Sequence, residues 1–197
     1  MTRLGWILLL AFVAVIGTFF LIVNKGHVGR TPPPVQTQAA AQSAPMDAGA
    51  ANKAGGGLIV PVAGVQPSQL SDTWGDDRGD GTRQHHAIDI MAPRGTPVLA
   101  AAAGVVEKIF ESANGGHTVY IRRLDREWQD YYAHLDGYAP DLREGIQVRQ
   151  GQQIGTVGST GDASPEAPHL HYEIHQMGPA DNWSQGREIN PFPILHG

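Results

Sequence analysis

The sequence predicts a mainly β domain of antiparallel sheet, and two features of the chain after residue 57 lead to that class. First, short apolar or alternating runs recur between turn signals, among them Pro93-Arg94-Gly95, Asn114-Gly115-Gly116, Asp136-Gly137 and Gln150-Gly151. Second, no stretch there sustains a 3.6-residue apolar period over a helical length. Consecutive strands joined by tight connections pair antiparallel, because parallel pairing needs long crossovers.

Taken in order, the chain opens on residues 1–30, which are unlike the rest. Leu4 to Val23 is a 20-residue run without a charge, flanked by Arg3 and by Lys25 and Arg30. As a helix it would be about 30 Å long, the thickness of a bilayer's hydrocarbon core. A cleaved signal peptide usually has an apolar region of only about 7–15 residues and a small-residue cleavage site directly after it. Neither is present, so an uncleaved single-pass anchor is expected. Residues 31–57 read as a linker, with Pro32-Pro33-Pro34, an Ala/Gln run and Gly55-Gly56-Gly57. Too few large apolar side chains are present there to order a core.

Residues 58–197 are long enough for one domain with its own core. Strands are expected at Ala87–Met91, Pro97–Ala102, Gly104–Phe110, Thr118–Arg122, Gln129–Leu135, Gln152–Val157 and His169–Gln176. This part carries 10 Lys and Arg against 18 Asp and Glu, a formal charge of −8. An acidic domain without a basic stripe argues against nucleic acid as a partner. The chain has no cysteine, which excludes disulfides and thiolate metal ligands.

The chemistry centres on Ala167-Pro168-His169-Leu170-His171-Tyr172-Glu173-Ile174-His175. On a strand, side chains alternate between faces, so His169, His171, Glu173 and His175 share one side. Leu170, Tyr172 and Ile174 share the other, which reads as core. Three imidazoles and a carboxylate make a poor surface to bury unless a divalent metal needs them. A second wall comes from Gln84-His85-His86-Ala87-Ile88-Asp89-Ile90. The four-residue spacing of His85 and Asp89 predicts both on one face of a strand, with Ile88 and Ile90 in the core. A third element, Tyr131-Tyr132-Ala133-His134-Leu135-Asp136, is expected to place Tyr132 and His134 on one face, with Ala133 and Leu135 on the other. Glu173 is a candidate to accept the second N–H of a metal-bound histidine. His175 reads as a groove-rim or surface residue, and His117 as the end of a turn. Gly158 to Pro168 reads as a polar loop that walls a groove.

Together these motifs resemble the lysostaphin-type (LytM-like) zinc metallopeptidases, which cut the peptide part of bacterial cell walls. The likeness runs from about Val60 to Leu195. It includes His85 to Ile90, Gly95-Thr96-Pro97-Val98-Leu99-Ala100, Tyr132-Ala133-His134-Leu135, Gly151-Gln152-Gln153-Ile154-Gly155, Gly158-Ser159-Thr160-Gly161 and His169 to Ile174. So many motifs in order form a specific signal. The resemblance implies a groove-bound zinc ion held by His85, Asp89 and His171, with His134 and His169 as catalytic histidines. Three protein ligands leave one tetrahedral position for water, the arrangement of a catalytic zinc. No H-E-x-x-H glutamate is present, so the two imidazoles divide the roles of base and oxyanion donor between them.

The implied function is hydrolysis of the peptide crosslinks of peptidoglycan. The alternative is a catalytically silent relative that binds the wall or regulates another wall hydrolase. Such relatives are expected to lose ligands, whereas all five positions are filled here. A biotinyl-type barrel would need an exposed lysine in a tight turn, and Lys108 lies within an apolar run. Since wall peptides lie outside the cytoplasmic membrane, the expected location is the inner membrane, single-pass, with the catalytic domain on the periplasmic or outer side.

Overall fold

The computed structural model describes residues 57–78 and 81–197. The expected membrane helix, and the linker up to residue 56, lie outside the described residues. Among the described residues no helix is long and apolar enough to cross a membrane.

The strands in chain order are β1 (Asp77–Arg78), β2 (Arg83–Gln84), β3 (Ile88–Met91), β4 (Pro97–Leu99), β5 (Gly104–Ser112), β6 (Gly116–Arg123), β7 (Trp128–Tyr138), β8 (Gln147–Val148), β9 (Gln153–Val157), β10 (His169–Gln176) and β11 (Arg187–Ile189). A short helix, α1 (Phe192–His196), closes the chain. All seven expected strands form, and every pairing among them is antiparallel. The strands not foreseen, β1, β2, β8 and β11, have two or three residues each. Runs that short carry no readable alternation.

The sheet runs β11-β10-β7-β6-β5-β8, with β3 paired to β10 and β9 linking β7 to β4. β10 lies between β3 and β7, and one register line joins Asp89, His171 and Ala133. That line carries the site. One face of these strands supplies the core: Ile88, Ile90, Leu170, Tyr172, Ile174, Tyr132 and Leu135 are almost wholly buried. Each such large side chain contributes about 1.5–3 kcal/mol through its removal from water. The two core phenols keep hydrogen-bond partners: Tyr132 Oη accepts the Ala101 N–H at 2.9 Å, and Tyr172 Oη donates to Asp130 at 2.6 Å.

Two expectations about faces are corrected. His85 is not on a strand with Asp89; it lies in the connection between β2 and β3. Its backbone is held there by a donor bond to Asp76 O (2.9 Å) and an acceptor bond from Gly75 N (2.7 Å). Tyr132 and His134 do not share a face either. Tyr132 enters the core beside Leu135, while Tyr131, Ala133 and His134 line the groove on the opposite side. His134 has φ of 58°, and the β7–β9 and β6–β7 pairings both shift register nearby. A residue in the left-handed region breaks the two-residue alternation, which puts two consecutive side chains on the groove side.

Candidate metal centre and active site

A groove of about 710 Å³ lies over the polar side of β3, β10 and β7, lined among others by His85, Asp89, His134, His169, His171 and Glu173. At its floor, one ligand atom each from His85, Asp89 and His171 lies within 4.8 Å of the others. Asp89 and His171 meet because they are cross-strand partners. His85 Nε2 is 3.0 Å from His171 Nδ1 and 3.1 Å from Asp89 Oδ1, and His171 Nδ1 is 3.3 Å from Asp89 Oδ1. Three ligands of a tetrahedral ion at about 2.0–2.1 Å would lie roughly 3.3–3.4 Å apart, so the triangle has the right size.

The tautomers strengthen this fit. Both Thr73 O and the ionised Glu173 accept only, so the nitrogen facing each must carry the proton. His85 thus donates Nδ1–H to Thr73 O at 2.8 Å, and His171 donates Nε2–H to Glu173 Oε1 at 2.8 Å. In their neutral forms both rings therefore aim lone pairs at one another and at Asp89 Oδ1. That oxygen is buried and has no hydrogen-bond partner. Lone pairs crowded this closely require a positive centre among them, a proton or a metal ion. The electrostatics agree. Burial alone would raise Asp89, yet the imidazoles of His171, His85 and His169 gathered around it hold its carboxyl well below the usual range. Burial would depress His171, yet the adjacent carboxylates of Asp89 and Glu173 push it up to about 9. The residues present thus fit a bound cation.

The two remaining imidazoles flank this triangle. His134 is 5.0 Å from His169 and 5.4 Å from His171, ring centre to ring centre. His134 Nδ1–H is donated to Thr160 O and His169 Nδ1–H to Ala167 O, both at 2.8 Å. Each ring is left with Nε2 as its acceptor, and His169 Nε2 is 3.6 Å from Asp89 Oδ1. Burial lowers the His134 pKa, only partly opposed by the Thr160 hydrogen bond, so this ring is neutral near pH 7. The loop 158–168 does wall the groove, through Asp162, Ala163, Ser164 and Ala167. It also supplies the carbonyls that orient both flanking histidines.

Every residue singled out from sequence for metal binding or catalysis thus converges on one groove. Glu173 bonds His171 as a metal-ligand partner would, and its second oxygen accepts His175 Nε2–H at 2.6 Å. His175 is consequently buried rather than at the rim. His117 follows the 113–115 turn as a β6 residue, and its ring packs on Tyr138. Sequence reasoning missed Thr73, which binds His85 through its carbonyl and accepts the Asp89 N–H on Oγ1 at 3.0 Å. It also missed Arg78, whose guanidinium pairs with Asp89 Oδ2. Both precede the motif that carries the ligands, and nothing in their local pattern marks them.

The family model for Peptidase family M23 matches residues 83–191, more than half of the chain. The chain belongs to this family. The matched region is similar to an L-Ala–D-Glu endopeptidase of Bacillus subtilis, 39% identical over 129 residues, which are 62% of this chain and 38% of that protein. It is also similar to the peptidoglycan DD-endopeptidase ShyC of Vibrio cholerae, 43% identical over 92 residues, 47% of this chain and 20% of that one. The chain therefore spans well under half the length of these two curated relatives. Among solved structures, the catalytic domain of the antimicrobial peptidase lysostaphin from Staphylococcus simulans superposes with a TM-score of 0.55 at 28% identity. That likeness covers 65% of this chain and 92% of the lysostaphin domain. The M23 match contains all three candidate ligands and both flanking histidines, whereas Thr73 and Arg78 fall outside it.

Proposed function

We propose that this M23 protein is a zinc-dependent endopeptidase that hydrolyses the peptide crosslinks of bacterial peptidoglycan. The observation that carries the proposal is the convergence of His85 Nε2, His171 Nδ1 and the orphaned Asp89 Oδ1, flanked by two further imidazoles. Two nitrogens and one carboxylate oxygen suit zinc, and three protein ligands are the number found at catalytic zinc sites. The peptidoglycan DD-endopeptidase activity named for the Vibrio cholerae relative supports the substrate class.

A zinc ion held by His85, Asp89 and His171 would supply Lewis acidity and a water of lowered pKa. The chain's own residues supply the proton traffic. Neutral His134, fixed through Nδ1 to Thr160, offers Nε2 to take a proton from the attacking water. His169, fixed through Nδ1 to Ala167, holds its Nε2 on the same side of the groove. Once either imidazole is protonated, it donates to the developing oxyanion or to the leaving amine. Glu173 keeps His171 in the tautomer that presents Nδ1. The walls formed by the 158–168 loop and the β1–β2 ribbon orient an extended peptide across these groups.

The N-terminal part extends the proposal. Residues 1–30 would anchor the protein in the cytoplasmic membrane, with residues 31–57 as a tether and the domain of residues 58–197 on the outer side, within reach of the wall. The supporting observation is the uncharged 20-residue run Leu4 to Val23. The experiment that tests the central proposal is digestion of purified peptidoglycan by the purified chain, followed by mass analysis of the fragments. New peptide termini should appear, disappear with a chelator and return on adding zinc. Fragments released equally well in chelator, or cut in the glycan, would overturn it.

A further inference from the structure

The segment from Thr73 to Arg78 grips two of the three candidate ligands from outside the region matched to the family. Thr73 O accepts His85 Nδ1–H, and Thr73 Oγ1 accepts the Asp89 N–H. Gly75 and Asp76 hold the His85 backbone on both sides. Arg78, from β1, pairs with Asp89 Oδ2. The two carboxylate oxygens are thereby divided: Oδ2 goes to the guanidinium, and Oδ1 faces the two imidazole ligands and, at 3.6 Å, His169 Nε2, without a hydrogen bond.

We propose that Arg78 is a positioning residue that keeps Asp89 a one-oxygen ligand. The inference rests on the zinc reading given above. A carboxylate with both oxygens available can close on a metal through two atoms. At a site with three protein ligands the second oxygen would occupy the position that water and substrate need. A guanidinium on Oδ2 blocks that closure, since a cation held there would have to be displaced first. It also draws charge from the carboxylate, leaving a bound ion more electrophilic. Arg78 is 39% exposed and stands on the two-stranded β1–β2 ribbon, apart from the main sheet, so replacing it leaves the main sheet's pairings in place. Groups around a metal site that orient the ligands usually change affinity or activity by about 10–100-fold when replaced.

The test compares the full chain with Arg78→Ala and Arg78→Lys, each loaded with zinc. X-ray absorption at the zinc edge counts the nearest light-atom ligands, and chelator competition gives the affinity. The native chain should show about four ligands and Arg78→Ala about five, with zinc affinity changed roughly 10-fold or more. Turnover should fall in kcat with KM little changed, and Arg78→Lys should restore the count of four, since an ammonium also occupies Oδ2. An unchanged ligand count and affinity in Arg78→Ala would overturn the proposal while leaving the zinc site intact. So would a rise in KM alone, which would make Arg78 a substrate contact. Failure of the native chain to take up zinc would instead overturn the zinc reading, and this proposal with it.

Discussion

His134 adopts a left-handed backbone, with φ of 58°, a conformation costly for a residue with a Cβ. Such positions persist when the surroundings over-determine them, and here three contacts do so. The His134 N–H donates to Gly115 O at 2.8 Å, its ring donates to Thr160 O, and Thr160 Oγ1 donates to Leu135 O at 2.8 Å. The result is an imidazole with its Nδ1 committed and its Nε2 available. If His134 moves protons and does not bind metal, His134→Ala should keep its zinc and lose turnover by about 10²–10⁴-fold. Zinc content and peptide release measured on the same preparation check this. Loss of the metal from the variant would make His134 a ligand instead.

At the scale of elements, the site is an outcome of register and of one close loop contact. β10 brings His171 opposite Asp89, and a slip of one residue would turn every histidine of that strand into the core. The 158–168 loop is pressed on the β5–β6 turn: a Cβ at Gly161, where φ is +76°, would collide with Asn114 O and Gly116 N. Asp162 N donates to Asn114 O at 2.9 Å beside it. Gly161→Ala is therefore expected to cost at least about 1–2 kcal/mol from backbone conformation alone. The collision adds to this and pulls Thr160 away from His134. A melting curve lowered by several degrees, with reduced turnover in the surviving fold, is the expected outcome. An unchanged melt would show that the loop does not need this approach.

Across the whole molecule, burial dominates the phenols. All five tyrosines, Tyr120, Tyr131, Tyr132, Tyr138 and Tyr172, are shifted upward, burial being the largest cause in each, and Tyr120 is pushed up to about 12. A free phenol is about half ionised at pH 10. Tyrosinate absorbance of the folded chain at pH 10 should be a small fraction of that, appearing in full only on unfolding. The sign for stability follows. The unfolded chain loses these protons first, so stability is complete below about pH 10 and declines as the pH rises above it. Half-ionised tyrosines in the folded chain at pH 10 would contradict the buried positions of Tyr132 and Tyr172 in particular.

Seven strands, the polar side of β10 and the four histidines and one aspartate that meet in the groove were legible in the chain itself. In β10 the two-residue period and the chemistry of each side chain state the same thing locally. The motif order at His85 to Ile90, Tyr132 to Leu135 and His169 to Ile174 supplied the partners. What the three-dimensional arrangement alone decided is how those side chains are held. His85 reaches the site from a connection, His134 by breaking the alternation, and both are oriented by carbonyls of Thr73 and Thr160 distant from them in sequence. A backbone carbonyl is the same atom in every residue, and its position depends on which segments pack together, so a linear reading has no mark by which to assign it. Arg78 is hidden for a related reason: an arginine on a two-residue strand reads as solvated until the fold sets Asp89 before it.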